Sequence, residues 1–165
     1  MEDRKTVIIT GGGKGIGAAI SRVFYESGYR VVIGSRSDSG LAAELGDRAL
    51  FHSVDTRRPQ ELATLVQEAL DWTGRLDVMI NNAGYSGWKP IADVDEKFCD
   101  LMIDTNLKGV LFGCKEASKI LQQGGSIINI SSLAGKRGSA NNSVYCASKF
   151  AVNGITQALA KELGY

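Results

Sequence analysis

The run Val7-Ile8-Ile9-Thr10-Gly11-Gly12-Gly13-Lys14-Gly15-Ile16-Gly17 constrains this chain more than any other segment. Three β-branched apolar residues read as a buried strand, and the glycines let the backbone turn tightly. The pattern that follows places Ile16, Ile20, Val23 and Phe24 on one face, which predicts a helix over 15–27 with Gly28 as its stop. The same alternation continues to the end. Val31-Val32-Ile33 predicts a second strand, 41–45 a short helix and 49–54 a third strand. Pro59 suits the first turn of a helix reaching to about Trp72. A fourth strand is expected over 76–80, and helical patterns cover 95–121 with a break before Asn106. The fifth strand is expected over 126–130 and a long last helix over 143–163. Strands this short and this continuously apolar are covered on both faces. Strand–helix alternation then implies an α/β fold, with a doubly wound parallel sheet and right-handed crossovers.

A chain of 165 residues is one domain by the usual prior, and it can bury a sizeable core. A net charge of +1 gives no bulk electrostatic case for nucleic acid or a membrane surface as partner. No apolar run is long enough to span a membrane. The first strand begins near Lys5, which is read as leaving no room for a signal peptide. Cys99, Cys114 and Cys146 show no metal-ligand spacing, so no metal is expected, and their odd number suggests reduced thiols in the cytoplasm.

Gly11-x-x-x-Gly15-x-Gly17 lies between a strand and a helix, the context in which such a motif binds phosphate. Glycines let the backbone approach a pyrophosphate, and free amides at the helix N-terminus meet its charge. A tight turn with no ligand is the plainer alternative. Folds that use NAD place an acid at the end of strand two, on the adenosine ribose hydroxyls. This strand ends Ile33-Gly34-Ser35-Arg36-Ser37, with no carboxylate. Ser35 and Arg36 occupy the turn, an arginine can fork onto a phosphate, and Lys14 could reach the same group. Two cations without an acid favour NADP(H) over NAD(H); two solvated surface charges are the alternative. Asp55 either accepts from the adenine amino group or caps the following helix.

Tyr145 and Lys149 share a helix face at i and i+4. A free phenol is a poor base at neutral pH. One ammonium about 4 Å away offers on the order of 4 kcal/mol towards its anion at an effective dielectric of about 20. A lysine neighbour is therefore the right size of perturbation to make a tyrosine a proton donor and acceptor. A pair with this spacing is common by chance. Its place just after the fifth strand, with Ser132 at that strand's end, gives it weight.

With these residues in view, the chain resembles the short-chain dehydrogenase/reductase family in its single-domain branch. The matching segments are Thr10-Gly11-x-x-x-Gly15-Ile16-Gly17, Asn81-Asn82-Ala83-Gly84, Asp104-Thr105-Asn106-Leu107, Asn129-Ile130-Ser131-Ser132 and Tyr145-x-x-x-Lys149. The resemblance implies a Rossmann-like nucleotide fold and a catalytic set of Asn106, Ser132, Tyr145 and Lys149. Tyr145 would be the acid in reduction and the base in oxidation. Lys149 would assist it and hold the nicotinamide ribose, Ser132 would position the substrate oxygen, and Asn106 would hold a water beside Lys149. Asn82, Ala83 and Gly84 would line the cofactor together with Gly11, Lys14, Gly15, Ile16, Gly17, Ser35, Arg36 and Asp55. Ser131 is the less fitting catalyst. A small carbonyl or alcohol substrate and a homodimer or homotetramer are also implied, the latter through helices over 107–121 and 143–163.

Other residues carry less. His52 and Cys146 read as structural, and Trp72 as a cap on the core. Trp88 and Lys89 could border the substrate, and Lys136 and Arg137 could meet an anionic one; solvated loop residues are the alternative for both pairs. The family continues past the long helix, so the sheet is expected in the order 3-2-1-4-5 with strand five as an apolar edge. Residues 1–165 are accordingly read as the N-terminal part of a longer chain. Gln122-Gln123-Gly124 lacks the basic residue that relatives acting on acyl-carrier ketones often have there. The competing functions are a nucleotide sensor without turnover and an epimerase or dehydratase using the same Tyr-Lys pair.

Overall fold

The computed structural model describes residues 4–164. The single-domain reading over 1–165 also includes residues 1–3 and 165, which lie outside the described residues. Five strands form one sheet: β1 (Thr6–Thr10), β2 (Arg30–Ser35), β3 (Ala49–Ser53), β4 (Leu76–Asn81) and β5 (Leu121–Asn129). Their order is β3-β2-β1-β4-β5, and every pairing is parallel, as expected. Among the described residues, five α-helices connect them, α1 (Gly15–Glu26), α2 (Leu41–Leu45), α3 (Pro59–Thr73), α4 (Glu96–Ile103) and α5 (Gly109–Ser118), and α6 (Ser143–Leu163) follows β5.

Strand alternation sorts the core into two layers. Val7, Ile9, Val31, Ile33 and Ile80 pack with α1 and α2 through Ala18, Ile20, Phe24 and Leu41. Ile8, Val32 and Met79 pack on the other face with α3 through Leu62, Leu65, Val66 and Ala69. Val110 and Cys114 of α5 then meet Val152 and Leu159 of α6 and Ile127 of β5. Each such aliphatic side chain, fully buried, stabilises by about 1.5–3 kcal/mol. Truncating a central one such as Ile8 would cost about 2–5 kcal/mol. Where β1 and β4 begin, Asp77 accepts from the Thr6 N–H at 2.8 Å and from the fork of Arg75 at 2.7 and 2.9 Å, which closes that end of the sheet.

Three details differ from expectation. The break before Asn106 is a π-helical turn, Asp104–Lys108, with Asn106 inside it. Strand β5 begins earlier than 126: Leu121 pairs with Leu76 and Ser126 with Val78, and the chain between them bulges where Gly124 takes a φ of 78°. Glycine supplies that left-handed backbone at little cost. Trp72 is 37% exposed rather than capping the core, because the buried stripe of α3 ends at Ala69. As expected, β5 is a sheet edge, and its Ile128 is exposed.

Candidate functional site

The C-terminal ends of the strands meet around Thr10. Its hydroxyl accepts from the backbone N–H groups of Asn82 and Ala83, both at 3.1 Å, and so pins the loop after β4 to the end of β1. Asn82 completes the tie by donating its side-chain amide to the carbonyls of Thr10 and Gly11 at 3.0 and 3.2 Å. Asn82, expected from sequence to line the cofactor, is in the structure a brace between two loops. Gly11 takes a φ of 65° and donates its N–H to the Gly34 carbonyl at 2.7 Å, binding the glycine turn to β2. Gly17 packs directly beneath: a Cβ there would overlap the Gly11 carbonyl and the Asn82 amide. Gly15, with a φ of 53°, has no heavy atom within 4 Å of where its Cβ would stand, so the first turn of α1 presents open backbone. Lys14, the residue before α1, is exposed, and so is Ile16.

These ends enclose a cleft of about 460 Å³. Its walls include Gly11, Lys14, Ser35, Arg36, Asp55, Ala83 and Gly84, seven positions read from sequence as cofactor-binding. Gly15, Ile16, Gly17 and Asn82 are not among the walls; Gly17 and Asn82 shape them from behind. Ser35 donates its hydroxyl to the Ser37 carbonyl at 2.9 Å, which folds the loop after β2 and exposes Arg36. Asp55 does not cap α3. The residue before α3 is Arg58, without a side-chain cap, and the Asp55 carboxylate is instead gripped by Arg57 through Nε at 2.9 and 3.0 Å and through Nη2. That fork outweighs partial burial and holds the Asp55 carboxyl below the usual carboxylate range, with Arg36 adding a weaker pull.

The second half of the site lies where α6 meets the end of β5. Lys149 is buried and donates from Nζ to the Ile130 carbonyl at 2.8 Å. Its ammonium stands 5.9 Å from the centroid of the Tyr145 ring, so the expected pair does share one face. Burial lowers the Lys149 pKa from its ordinary value. Ser132 is half-buried and its hydroxyl accepts from the Ala134 N–H at 3.2 Å, which leaves its own proton available to donate. Ser131 instead donates to the Lys149 carbonyl at 3.2 Å. Asn106 is fully buried in the π-helical turn, a feature frequent at functional sites. It brackets the Tyr85 backbone and donates to Ser148, the neighbour of Lys149, at 3.1 Å. Gly84 joins the halves: a Cβ there would lie 3.5 Å from Asn106 Oδ1 and 3.8 Å from Lys149 Nζ.

Among residues with open readings, Lys89 is engaged locally. Its ammonium pairs with Asp95 at 2.6 Å and lies 4.8 Å from the centre of the Phe98 ring. Trp88, Lys136 and Arg137 lie on exposed loops. His52 faces Glu68 of α3 at 3.5 Å, and Cys146 is buried, as expected. Sequence reasoning missed Thr10 as a hub and Arg57, Tyr85 and Thr105 as cleft walls. The local Asp55-Thr56-Arg57 spacing was the one signal for Arg57.

An all-parallel, doubly wound sheet with a glycine turn and a cleft at its strand ends defines a Rossmann-type α/β protein. The chain belongs to the short chain dehydrogenase family, whose model matches residues 5–165. It is 36% identical to a 3beta-hydroxysteroid dehydrogenase of Mediterraneibacter gnavus over 96% of this chain and 60% of that protein. It is 34% identical to a sorbitol dehydrogenase of Cereibacter sphaeroides over 98% of this chain and 65% of that one. A crystal structure from Sinorhizobium meliloti, named a "putative short-chain alcohol dehydrogenase", superposes with a TM-score of 0.90 at 34% identity, over 96% of this chain and 66% of that one. The chain thus spans about two thirds of the length of these relatives.

Proposed function

We propose that this protein is an NADP(H)-dependent oxidoreductase that moves a hydride between the nicotinamide and a carbonyl or secondary alcohol, with Tyr145 as general acid/base. The observation that carries this reading is the buried Lys149 ammonium, 5.9 Å from the Tyr145 ring and adjacent to the nucleotide-sized cleft through Gly84. The cleft supports this reading: left-handed Gly11 in its wall lets the backbone approach a pyrophosphate, and Lys14 and Arg36 line the part assigned to the adenosine. The names of the relatives, a hydroxysteroid and a sorbitol dehydrogenase, support a hydroxyl or carbonyl substrate.

When bound, the nicotinamide supplies or accepts the hydride. The chain's own residues manage one proton. In reduction, Tyr145 Oη gives its proton to the substrate oxygen as that oxygen gains negative charge, and Ser132 Oγ donates a second hydrogen bond to it. The phenolate left behind is stabilised by the positive charge of Lys149 Nζ, on the same helix face as the ring. Proton return from solvent passes by Lys149 and the polar groups around Asn106. Oxidation runs the same steps backwards, with Tyr145 as base. Exposed Leu111 of α5 and Phe150 of α6 suit a homo-oligomer packed through these helices.

The test is nucleotide consumption by the complete protein against a panel of aldehydes and ketones, with Tyr145→Phe alongside. NADPH should be oxidised with at least one carbonyl, and Tyr145→Phe should bind NADPH as before while losing at least about a hundredfold in kcat. Unchanged turnover in the variant removes Tyr145 from its role. Binding without turnover across the panel favours a sensor.

A further inference from the structure

Between β4 and α4 the chain passes the start of α6, and this passage is pinned at both ends. Gly84 stands at one end, where a Cβ would lie 3.8 Å from Lys149 Nζ. At the other, the Lys89 N–H donates to the Asn141 carbonyl at 2.8 Å. Tyr145 lies between Asn141 and Lys149 in the chain, so residues 85–88 run beside the turn of α6 that carries it. The passage is also braced from α4. Asp95 caps that helix by accepting from the Phe98 N–H at 2.7 Å, and it holds the Lys89 ammonium at 2.6 Å. That ammonium lies 4.8 Å from the centre of the Phe98 ring, and a Cβ at Gly87 would stand 2.7 Å from Phe98 Cε2. With the residues on both sides of it held, Trp88 presents its indole to solvent, 63% exposed. Tyr85 is 39% exposed, and Leu133, the residue after Ser132, is 59% exposed. Single apolar side chains in water are ordinary. Three of them, brought by two separate loops to the residues flanking Ser132 and Tyr145, mark a binding surface. Of the nearby charges, Lys89 and Asp95 neutralise each other and Asp93 is exposed beyond Pro90. Lys136 and Arg137 are exposed on the loop after Ser132. That part of the loop follows another side of α6: a Cβ at Gly135 would meet the Lys149 carbonyl and Asn153, and the Arg137 carbonyl faces Cys146 Sγ at 3.9 Å. Cys146 and Asn153 lie about a quarter turn around the helix from Tyr145.

We infer that Trp88 is a specificity-determining residue: its indole, with the Leu133 side chain, forms an apolar rim beside Tyr145 that selects carbonyl substrates with a bulky hydrocarbon part over polyhydroxylated or anionic ones. This rests on the reading of Tyr145 as the group that meets the substrate oxygen. An indole held on a braced loop offers a large apolar face at little cost in side-chain ordering.

The experiment measures kcat/KM of the complete protein with NADPH and three ketones: 2-decalone, dihydroxyacetone and acetoacetate. The wild type should prefer the decalone. Trp88→Ala should lower kcat/KM for the decalone at least about tenfold, chiefly through KM, and change the other two less than about threefold. Trp88→Phe, which keeps an aromatic face, should stay within about threefold of wild type on all three. A preference for dihydroxyacetone or acetoacetate, or equal losses on all three ketones in Trp88→Ala, overturns the inference; acetoacetate preferred and unaffected by Trp88→Ala would hand selection to Lys136 and Arg137. A second readout covers a Trp88→Ala protein that fails to fold. The chain has two tryptophans, so in Trp72→Phe the remaining indole is Trp88. Decalone added with NADP+ should shield it from acrylamide quenching, and unchanged quenching means that the substrate does not cover it. Shielding that needs no ketone and grows with protein concentration assigns the indole to contact between copies and equally overturns the inference. A wild type that consumes no NADPH with any carbonyl removes the underlying oxidoreductase reading, and the inference with it.

Discussion

Asn106 holds the backbone of Tyr85 from both sides: its Nδ2 donates to the Tyr85 carbonyl at 2.8 Å and its Oδ1 accepts from the Tyr85 N–H at 2.7 Å. Its Nδ2 also reaches Ser148. The amide therefore spans three elements: the π-helical turn, the loop after β4, and α6 one residue before Lys149. Asn106→Leu keeps the volume and removes every partner, leaving buried polar groups unmatched. We expect a loss of about 1–3 kcal/mol in urea-denaturation stability. A change below about 0.5 kcal/mol, the scale of surface substitutions, would show that the bracket contributes nothing.

Two glycines of the same turn are needed for different reasons, and substitution should show it. A Cβ at Gly17 would overlap the Gly11 carbonyl, a backbone atom that cannot swing aside, and would lie 2.6 Å from Asn82 Nδ2. Gly17→Ala must therefore part the glycine turn from α1, at a cost of about 1–3 kcal/mol or more, with loss of nucleotide binding. Gly15→Ala meets no atom and carries only the strain of its left-handed φ of 53°, about 1–2 kcal/mol. Thermal melts and nucleotide titrations of both variants check this. Stronger binding damage from Gly15→Ala than from Gly17→Ala would mean that approach to the ligand, rather than packing, sets the need for glycine.

Arg36 is exposed at the cleft rim and touches the Asp55 carboxyl only through its field. If it meets the ribose phosphate, Arg36→Asp replaces attraction with repulsion. NADPH affinity should fall about thirtyfold or more while NADH changes less than about threefold. The two dissociation constants, measured at low and physiological salt, decide it. Equal losses would move phosphate recognition to Lys14 or elsewhere.

The strands were legible because Val7-Ile8-Ile9 and Val31-Val32-Ile33 are apolar on both faces, and local pattern reports such burial directly. The strand order and the pairing of Tyr145 with Lys149 also followed from the sequence and the family it resembles. What did not follow depends on contacts distant in sequence. Asn82 lies in a loop after a strand, and nothing local says that its amide turns back to Thr10 and Gly11. The π-helical turn at Asn106 leaves only a break in helical periodicity. The early start of β5 depends on pairing Leu121 with Leu76, a register that the glycines after Leu121 conceal. Arg57 was overlooked because two residues suffice to fold it onto Asp55, and a charge beside a charge reads as a solvated surface.

The burial of Lys149 makes a last prediction, about pH. Burial lowers its pKa below the 10.5 of a free lysine, so the folded protein binds fewer protons at this site than the unfolded chain between the two values. Stability linked to Lys149 therefore rises with pH across that window and is lost as pH falls through the lowered folded-state value. Lys149→Met removes the titration while keeping a long side chain in the buried slot beside Ile130. The stability of the wild type relative to Lys149→Met, in nucleotide-free protein, should thus increase with pH between the lowered folded-state value and about 10.5, where a free lysine titrates. Urea denaturation at half-unit pH steps measures that difference. A difference that stays flat or falls would mean that the Ile130 carbonyl and the Tyr145 ring hold the charged ammonium as well as water does. Lys149 would then favour an adjacent phenolate at no cost to the fold.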